Sequence, residues 1–165
     1  MKPACNPFEL FELPARYPLD RAQLEERYRE RSRHWHPDRF SRAPAAERTA
    51  VLARATDLNE AYRLLRSDAR RAQYLLKLHG VDVTKEGPGS KLAVDPAFLM
   101  AILELREELA EARQAHDTAR LAALAATVQA RRDELERTLT DGFAQLEAGA
   151  EAERAQLLTE LTQAV

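Results

Sequence analysis

The run Trp35-His36-Pro37-Asp38-Arg39 holds the residues best suited to do chemistry. An imidazole and a carboxylate stand on either side of a proline. Proline fixes its own φ and drives the preceding residue out of helical geometry, so His36 and Asp38 leave a helix and project from a turn. A projecting carboxylate accepts a bidentate bond from an arginine of a partner. His36 orients the turn or donates a hydrogen bond. Catalysis is a poorer reading, because neither a nucleophile nor an oxyanion-binding group accompanies the pair. A metal site built from His34, His36, Asp38 and His79 is poorer still, since Pro37 divides the cluster and His79 is remote. Arg29 and Arg33 lie about 40° apart on a helical wheel and near 160° from Leu24, so they face solvent or an acidic partner. Arg39 follows at the turn itself. The candidate contact residues are therefore Arg29, Arg33, His36, Pro37, Asp38 and Arg39.

Such a turn needs a hairpin behind it. Asn6-Pro7 supplies an N-cap and a first-turn proline for a short helix carrying Phe8 and Phe11. Asp20 with Gln23 resembles a capping box, and the next helix is expected over about 21–35 with Leu24, Tyr28 and Trp35 inward. A third helix from near Pro44 carries the stripe Val51, Ala55, Leu58, Tyr62 and Leu65. Asp68 is expected to cap a fourth, which Gly80 ends. Tyr28, Trp35 and Tyr62 read as core. Arg31 falls in the apolar stripe of the second helix; its stem is expected to cover apolar surface while its head reaches a carboxylate of the third helix. Gly80, Gly87, Pro88, Gly89 and Pro96 then mark a boundary. The expected division is 1–79, a linker over 80–94, and 95–165.

Downstream, Asp95-Pro96 opens a helix to about 115 and Asp117 caps the next, with Leu121, Leu124, Val128, Leu135 and Leu139 on one side. Gly142 and Gly149 are expected to interrupt the pattern before a last helix with Leu157, Leu158 and Leu161. Three helices with short connections make an antiparallel bundle. The helix from Pro96 is apolar on two sides. Phe98, Ile102, Leu105, Leu109 and Ala112 form a core stripe within about 40°. Leu99, Met100 and Leu103 lie on the other side among Glu104, Glu107 and Glu111. A globular helix rarely needs two apolar faces, so the second, with its acidic rim, reads as a protein-binding surface for a basic partner. Packing of the N-terminal module on Leu99 and Met100 is the plainer alternative.

His36-Pro37-Asp38, with Tyr28 eight residues before the histidine, Trp35 before it and Arg39 soon after, resembles the J-domain of DnaJ-type co-chaperones. Asn59-Glu60-Ala61-Tyr62 and Arg71-Ala72-Gln73-Tyr74 look like that family's third and fourth helices. Phe98-Leu99-Met100 followed by Leu103-Glu104-Leu105-Arg106-Glu107-Glu108-Leu109 resembles the C-terminal domain of the HscB family. Leu13-Pro14-Ala15-Arg16-Tyr17 and Tyr74-Leu75-Leu76-Lys77-Leu78-His79-Gly80 agree with it. The resemblance implies an L-shaped, all-α co-chaperone of iron–sulfur cluster assembly. In it the loop and basic second helix dock on an HscA/DnaK-type chaperone and stimulate its ATPase. The second domain presents an IscU-type scaffold protein. The implied scaffold patch is Leu99, Met100, Leu103, Glu104, Glu107 and Glu111, joined by an apolar residue of the last helix, for which Leu157 is the nearest match. The last helix is expected to be short.

Composition fits. Of 165 residues, 45% are hydrophobic and 32% charged, and the 5 glycines argue against a loop-rich β-sandwich. Residues 1–80 carry a net +5 and residues 81–165 a net −7, two modules with differently charged partners. Cys5, the single cysteine, reads as an unpaired thiol. With no apolar leader at its start and no apolar run long enough to span a membrane, the expected setting is the cytoplasm. No enzyme activity, cofactor, metal, nucleic acid or membrane is expected. A general J-domain protein with another client remains an alternative. A nucleic-acid binder using the arginine-rich second helix is a weaker one, since Glu25, Glu26 and Glu30 share that helix.

Overall fold

The computed structural model describes residues 6–83, 96–149 and 154–164, and the chain divides into two compact units, Met1–Gly80 and Val81–Val165. Cys5, Asp95 and most of the expected linker lie outside the described residues. Among the described residues all regular structure is helical, and no helix is long and apolar enough to cross a membrane.

The first unit contains α1 (Pro7–Leu10), α2 (Arg21–His34), a 3-10 turn (Pro37–Phe40), α3 (Ala45–Arg66) and α4 (Asp68–Leu78). Its helix starts follow the capping chemistry. Asn6 accepts from the Phe8 N–H, and Asp20 accepts from the N–H groups of Ala22 and Gln23. Gly80, at φ +88°, takes the left-handed position after α4 and donates to the Lys77 carbonyl at 3.0 Å. The core joins Phe8, Phe11, Leu13 and Tyr17 to Leu24 of α2, Val51, Leu58 and Leu65 of α3, and Leu75 and Leu76 of α4. One charge is buried with them. Arg71, 3% exposed, donates to the carbonyls of Tyr17 at 2.8 Å and Leu65 at 2.7 Å and to Asp68 at 2.8 Å. Every face of the guanidinium that enters the core thus finds an acceptor, which is the condition for burying a cation.

Two expectations here are corrected. Ser67, not Asp68, caps α4, accepting from the Arg70 N–H. Asp68 is drawn off to Arg21 at 2.6 Å and Arg71 at 2.8 Å. The Arg31 head reaches Glu12, in the connection before α2, at 2.7 Å rather than a carboxylate of α3.

The second unit contains α5 (Pro96–Gln114), α6 (Thr118–Glu147) and α7 (Arg154–Ala164), with α6 packed against both others. Asp117 caps α6 through the Arg120 N–H. Ala112, Leu139, Phe143, Leu157 and Leu161 are buried. Gly142 does not break the pattern. It lies inside α6 and is itself buried, and a Cβ there would meet Leu161 Cδ2 at 2.7 Å. Its missing side chain is what lets α7 approach. Phe98, expected in the core stripe, is 51% exposed, and Val128 is 50% exposed, while Ile102, Leu105 and Leu109 are half-buried.

Candidate functional site

Trp35 closes α2, and the chain turns at once into the 3-10 turn that begins with Pro37. His36 has extended geometry, φ −66° and ψ 127°, as the following proline requires. Its Nδ1 accepts from the Asp38 N–H at 3.3 Å, so the imidazole caps the turn it precedes. With Nδ1 accepting, the neutral ring carries its proton on Nε2, which remains a donor. The Asp38 carboxylate is 89% exposed and sits 3.6 Å from His36 Nδ1. Both groups therefore stand at the surface on a turn stiffened by Pro37.

Behind the turn, aromatic contacts brace α2 against α3. Trp35 stacks on Phe40 with centroids 6.3 Å apart and an interplanar angle of 13°, and the Arg54 guanidinium lies 4.3 Å from the Trp35 ring. Tyr28 stacks on Tyr62 at 4.1 Å and donates to Asn59 Oδ1 at 2.8 Å. These rings are half-buried rather than core, since each needs its polar end near water. Tyr62 also donates to Glu25. That bond is the first cause holding the Glu25 carboxyl below the usual carboxylate range, helped by Arg29, and it pushes the Tyr62 hydroxyl up.

An open groove of about 540 Å³ runs beside this brace, lined by Tyr28, Arg29, Ser32, Arg33, His36 and Arg39. Three of its six lining residues are arginines. Arg29 is tied to Glu25 at 3.0 Å, Arg33 Nε donates to the Arg29 carbonyl at 3.3 Å, and Arg39 donates to the Arg33 carbonyl at 3.4 Å. The helix end thus organises a basic, hydrogen-bonding surface that leads to His36 and Asp38. That surface suits carboxylates of a protein partner.

The second site lies on α5. Leu99, Met100 and Leu103 are 50%, 56% and 51% exposed. Glu104 and Glu107 are exposed beside them, while Glu111 is paired with Arg120 of α6 at 3.1 Å. Four large apolar side chains, counting Phe98, thus stand half in water on the first two turns of one helix.

Residues 94–164 match the family described as the HSCB C-terminal oligomerisation domain. A relative from Bordetella parapertussis (strain 12822 / ATCC BAA-587 / NCTC 13253), named co-chaperone protein HscB homolog, is 46% identical over 138 residues, 84% of this chain and 78% of its own length. The chain belongs to the HscB family of co-chaperones. Its role as a co-chaperone of iron–sulfur cluster assembly goes with that membership. Two solved structures of HscB proteins have the same fold. Chaperone HscB from Vibrio cholerae is 33% identical with a TM-score of 0.68, over 96% of this chain and 90% of that one. Human co-chaperone HscB is 28% identical with a TM-score of 0.77, over 99% and 77%.

Within this HscB-family chain, four of the six residues expected at the tip of the first unit, Arg29, Arg33, His36 and Arg39, line one groove; Asp38 is exposed next to His36, and Pro37 supports the turn from a half-buried position. The six residues named on α5 are exposed, and one further expected residue is corrected. Leu157 is 8% exposed, buried in the second unit with Leu161 and Thr162 of its own helix, and offers little apolar surface. Sequence reasoning missed Ser32, which lines the groove, and Glu25, which holds Arg29. Glu25 carried a signal, since it precedes Arg29 by four residues, the spacing of a helical ion pair. Phe98 was assigned inward by its wheel angle alone.

Proposed function

We propose that this co-chaperone recruits an HscA/DnaK-type ATPase through His36, Pro37, Asp38, Arg29, Arg33 and Arg39, and stimulates its ATP hydrolysis. The α5 face formed by Leu99, Met100, Leu103, Glu104, Glu107 and Glu111 holds an IscU-type scaffold. Carrying both on one chain raises the effective concentration at which client and ATPase meet. The observation that carries this reading is the exposed Asp38 and His36 on a proline-stiffened turn, 89% and 54% exposed, at the end of a groove lined with arginines. Groups held in fixed geometry yet open to solvent are available to the carboxylate- or arginine-bearing surface of a partner.

The test is ATP turnover by HscA with this protein, with and without IscU. His36→Gln is expected to lose stimulation while the helical signal and melting temperature stay those of the parent. Its imidazole is half-exposed and its one hydrogen bond is to the next turn, so little stability rests on it. Full stimulation by the variant would refute the assignment of the tip.

A further inference from the structure

Tyr62 of α3 and Arg29 of α2 meet on one carboxylate. The Tyr62 hydroxyl donates to Glu25 Oε2, and Arg29 Nε donates to Glu25 Oε1 at 3.0 Å. The Tyr62 ring is itself held, stacked on Tyr28 at 4.1 Å with the Arg66 guanidinium 5.9 Å from its centroid. Glu25 is therefore anchored from the neighbouring helix, and it in turn fixes an arginine one turn along its own. Arg29 is 69% exposed, and its two terminal nitrogens make no hydrogen bond among the described residues. Guanidinium geometry makes this useful. With Nε committed to Glu25, the edge formed by the two terminal nitrogens stays open, and such an edge takes a carboxylate with two parallel bonds. A free arginine on a helix surface samples many rotamers and loses that freedom on docking. Here part of that loss is taken in the folded protein before any partner arrives. The arrangement also settles the fate of Glu25, whose charge beside an acid-binding groove would otherwise repel the partner.

We propose that Tyr62 and Glu25 are positioning residues that hold the Arg29 guanidinium ready for a carboxylate of the ATPase partner. The inference rests on the docking reading above and adds two residues that touch no partner themselves. It is tested by the co-chaperone concentration giving half-maximal ATPase stimulation of HscA, read separately from the maximal stimulated turnover. Tyr62→Phe keeps the ring, the stack and the net charge, and removes only the hydroxyl. It is expected to raise the half-maximal concentration about threefold, the scale of releasing one long side chain before binding, with maximal turnover unchanged. Glu25→Asp, one methylene too short to reach both partners, gives the same shift. In an Arg29→Ala background neither change adds to the loss, because there is no guanidinium left to position. A structural role for Tyr62 in bracing the helices would lower stimulation equally with or without Arg29, and that outcome, or no shift in either background, overturns the proposal. His36→Gln in the same assay separates the two failures. Undiminished stimulation by it brings down the docking reading itself. Loss of its stimulation, with the Tyr62→Phe effect persisting in Arg29→Ala, brings down only the positioning role.

Discussion

The proposed client face makes a demand that can be worked from exposure. Leu99 and Leu103 are 50% and 51% exposed, one helical turn apart on α5. Fully burying a leucine side chain is worth about 1.5–3 kcal/mol, so the half of each already covered contributes roughly 1 kcal/mol to folding. Truncation to alanine opens no enclosed cavity at such a site, so the extra term that makes core leucines cost about 2–5 kcal/mol is absent. Alanine also has the better helix propensity. The double variant Leu99→Ala with Leu103→Ala is therefore expected to lose no more than about 1–2 kcal/mol of folding free energy. The exposed halves are what a client can cover. Covering them returns about 1 kcal/mol each, so the double variant is expected to bind the IscU-type scaffold roughly thirtyfold more weakly. Isothermal titration of the scaffold, beside urea unfolding followed by helical circular dichroism, measures both quantities. Leu161→Ala serves as the opposite control, because Leu161 is 1% exposed and its loss should fall on stability instead. A scaffold affinity within threefold of the parent would refute the reasoning. So would a stability loss of core size at both sites, which would make these leucines part of the fold.

Gly142→Ala decides between two readings by its sign. Helix propensity alone would stabilise by about 1 kcal/mol, but the new methyl would lie 2.7 Å from Leu161 Cδ2. Overpacking of about 1–3 kcal/mol makes the expected result a net loss in urea unfolding, reversing to a gain in a Leu161→Ala background; a stabilised Gly142→Ala parent chain would contradict it. Asp68 contributes to acid stability: burial pushes its carboxyl up, but hydrogen bonds and charge from Arg71 and Arg21 outweigh this and leave it below its ordinary value. Its contribution is thus present above that ordinary value and is lost as pH falls through the lower folded value. Asp68→Asn should accordingly lower stability at neutral pH and shallow the acid limb of an unfolding-versus-pH curve; an unchanged limb would remove Asp68 from the account.

Much of this was legible because local rules governed it. Asn6-Pro7, Asp20, Pro37, Gly80 and Asp117 each act on the backbone within one turn, so their effects could be read without neighbours. The tip was legible for the same reason, since a proline flanked by histidine and aspartate at a helix end needs no tertiary information to be exposed. What failed was whatever depended on which neighbour is present. Asp68 and Ser67 are both good caps, and the choice fell to Ser67 while Asp68 binds Arg21 and Arg71 from two helices. The wheel put Arg31 inward correctly but could not say that Glu12, not α3, supplies its carboxylate. Gly142 looked like an interruption because propensity is local and the approach of Leu161 is not. Phe98 and Leu157 show the same limit from both sides. An angular sector says where a side chain points, and only the packing of the other helices says whether anything covers it.

The two surfaces need opposite physics, and the chain places them on elements suited to each. A tip that must present a carboxylate and an imidazole has no burial to hold it, so its order comes from covalent restriction and capping: Pro37 fixes φ, and His36 Nδ1 closes the turn on the Asp38 N–H. Rigidity behind it comes from the Tyr28–Tyr62 stack, the Trp35–Phe40 stack and the Arg54 guanidinium on the Trp35 ring, which bridge α2 and α3 without burying the groove between their charged ends. A face that must present leucine and methionine has the reverse difficulty, because the hydrophobic effect works to hide it. It stays available on α5 because another stripe of that helix, Ile102, Leu105, Leu109 and the fully buried Ala112, supplies the inward contacts. Most of what this helix gives the fold and most of the proposed docking thus fall on different residues. This separation is why Leu99 and Leu103 can be cut back with the fold intact, and why a variant such as Leu161→Ala should weaken the unit with the docking side chains themselves unaltered.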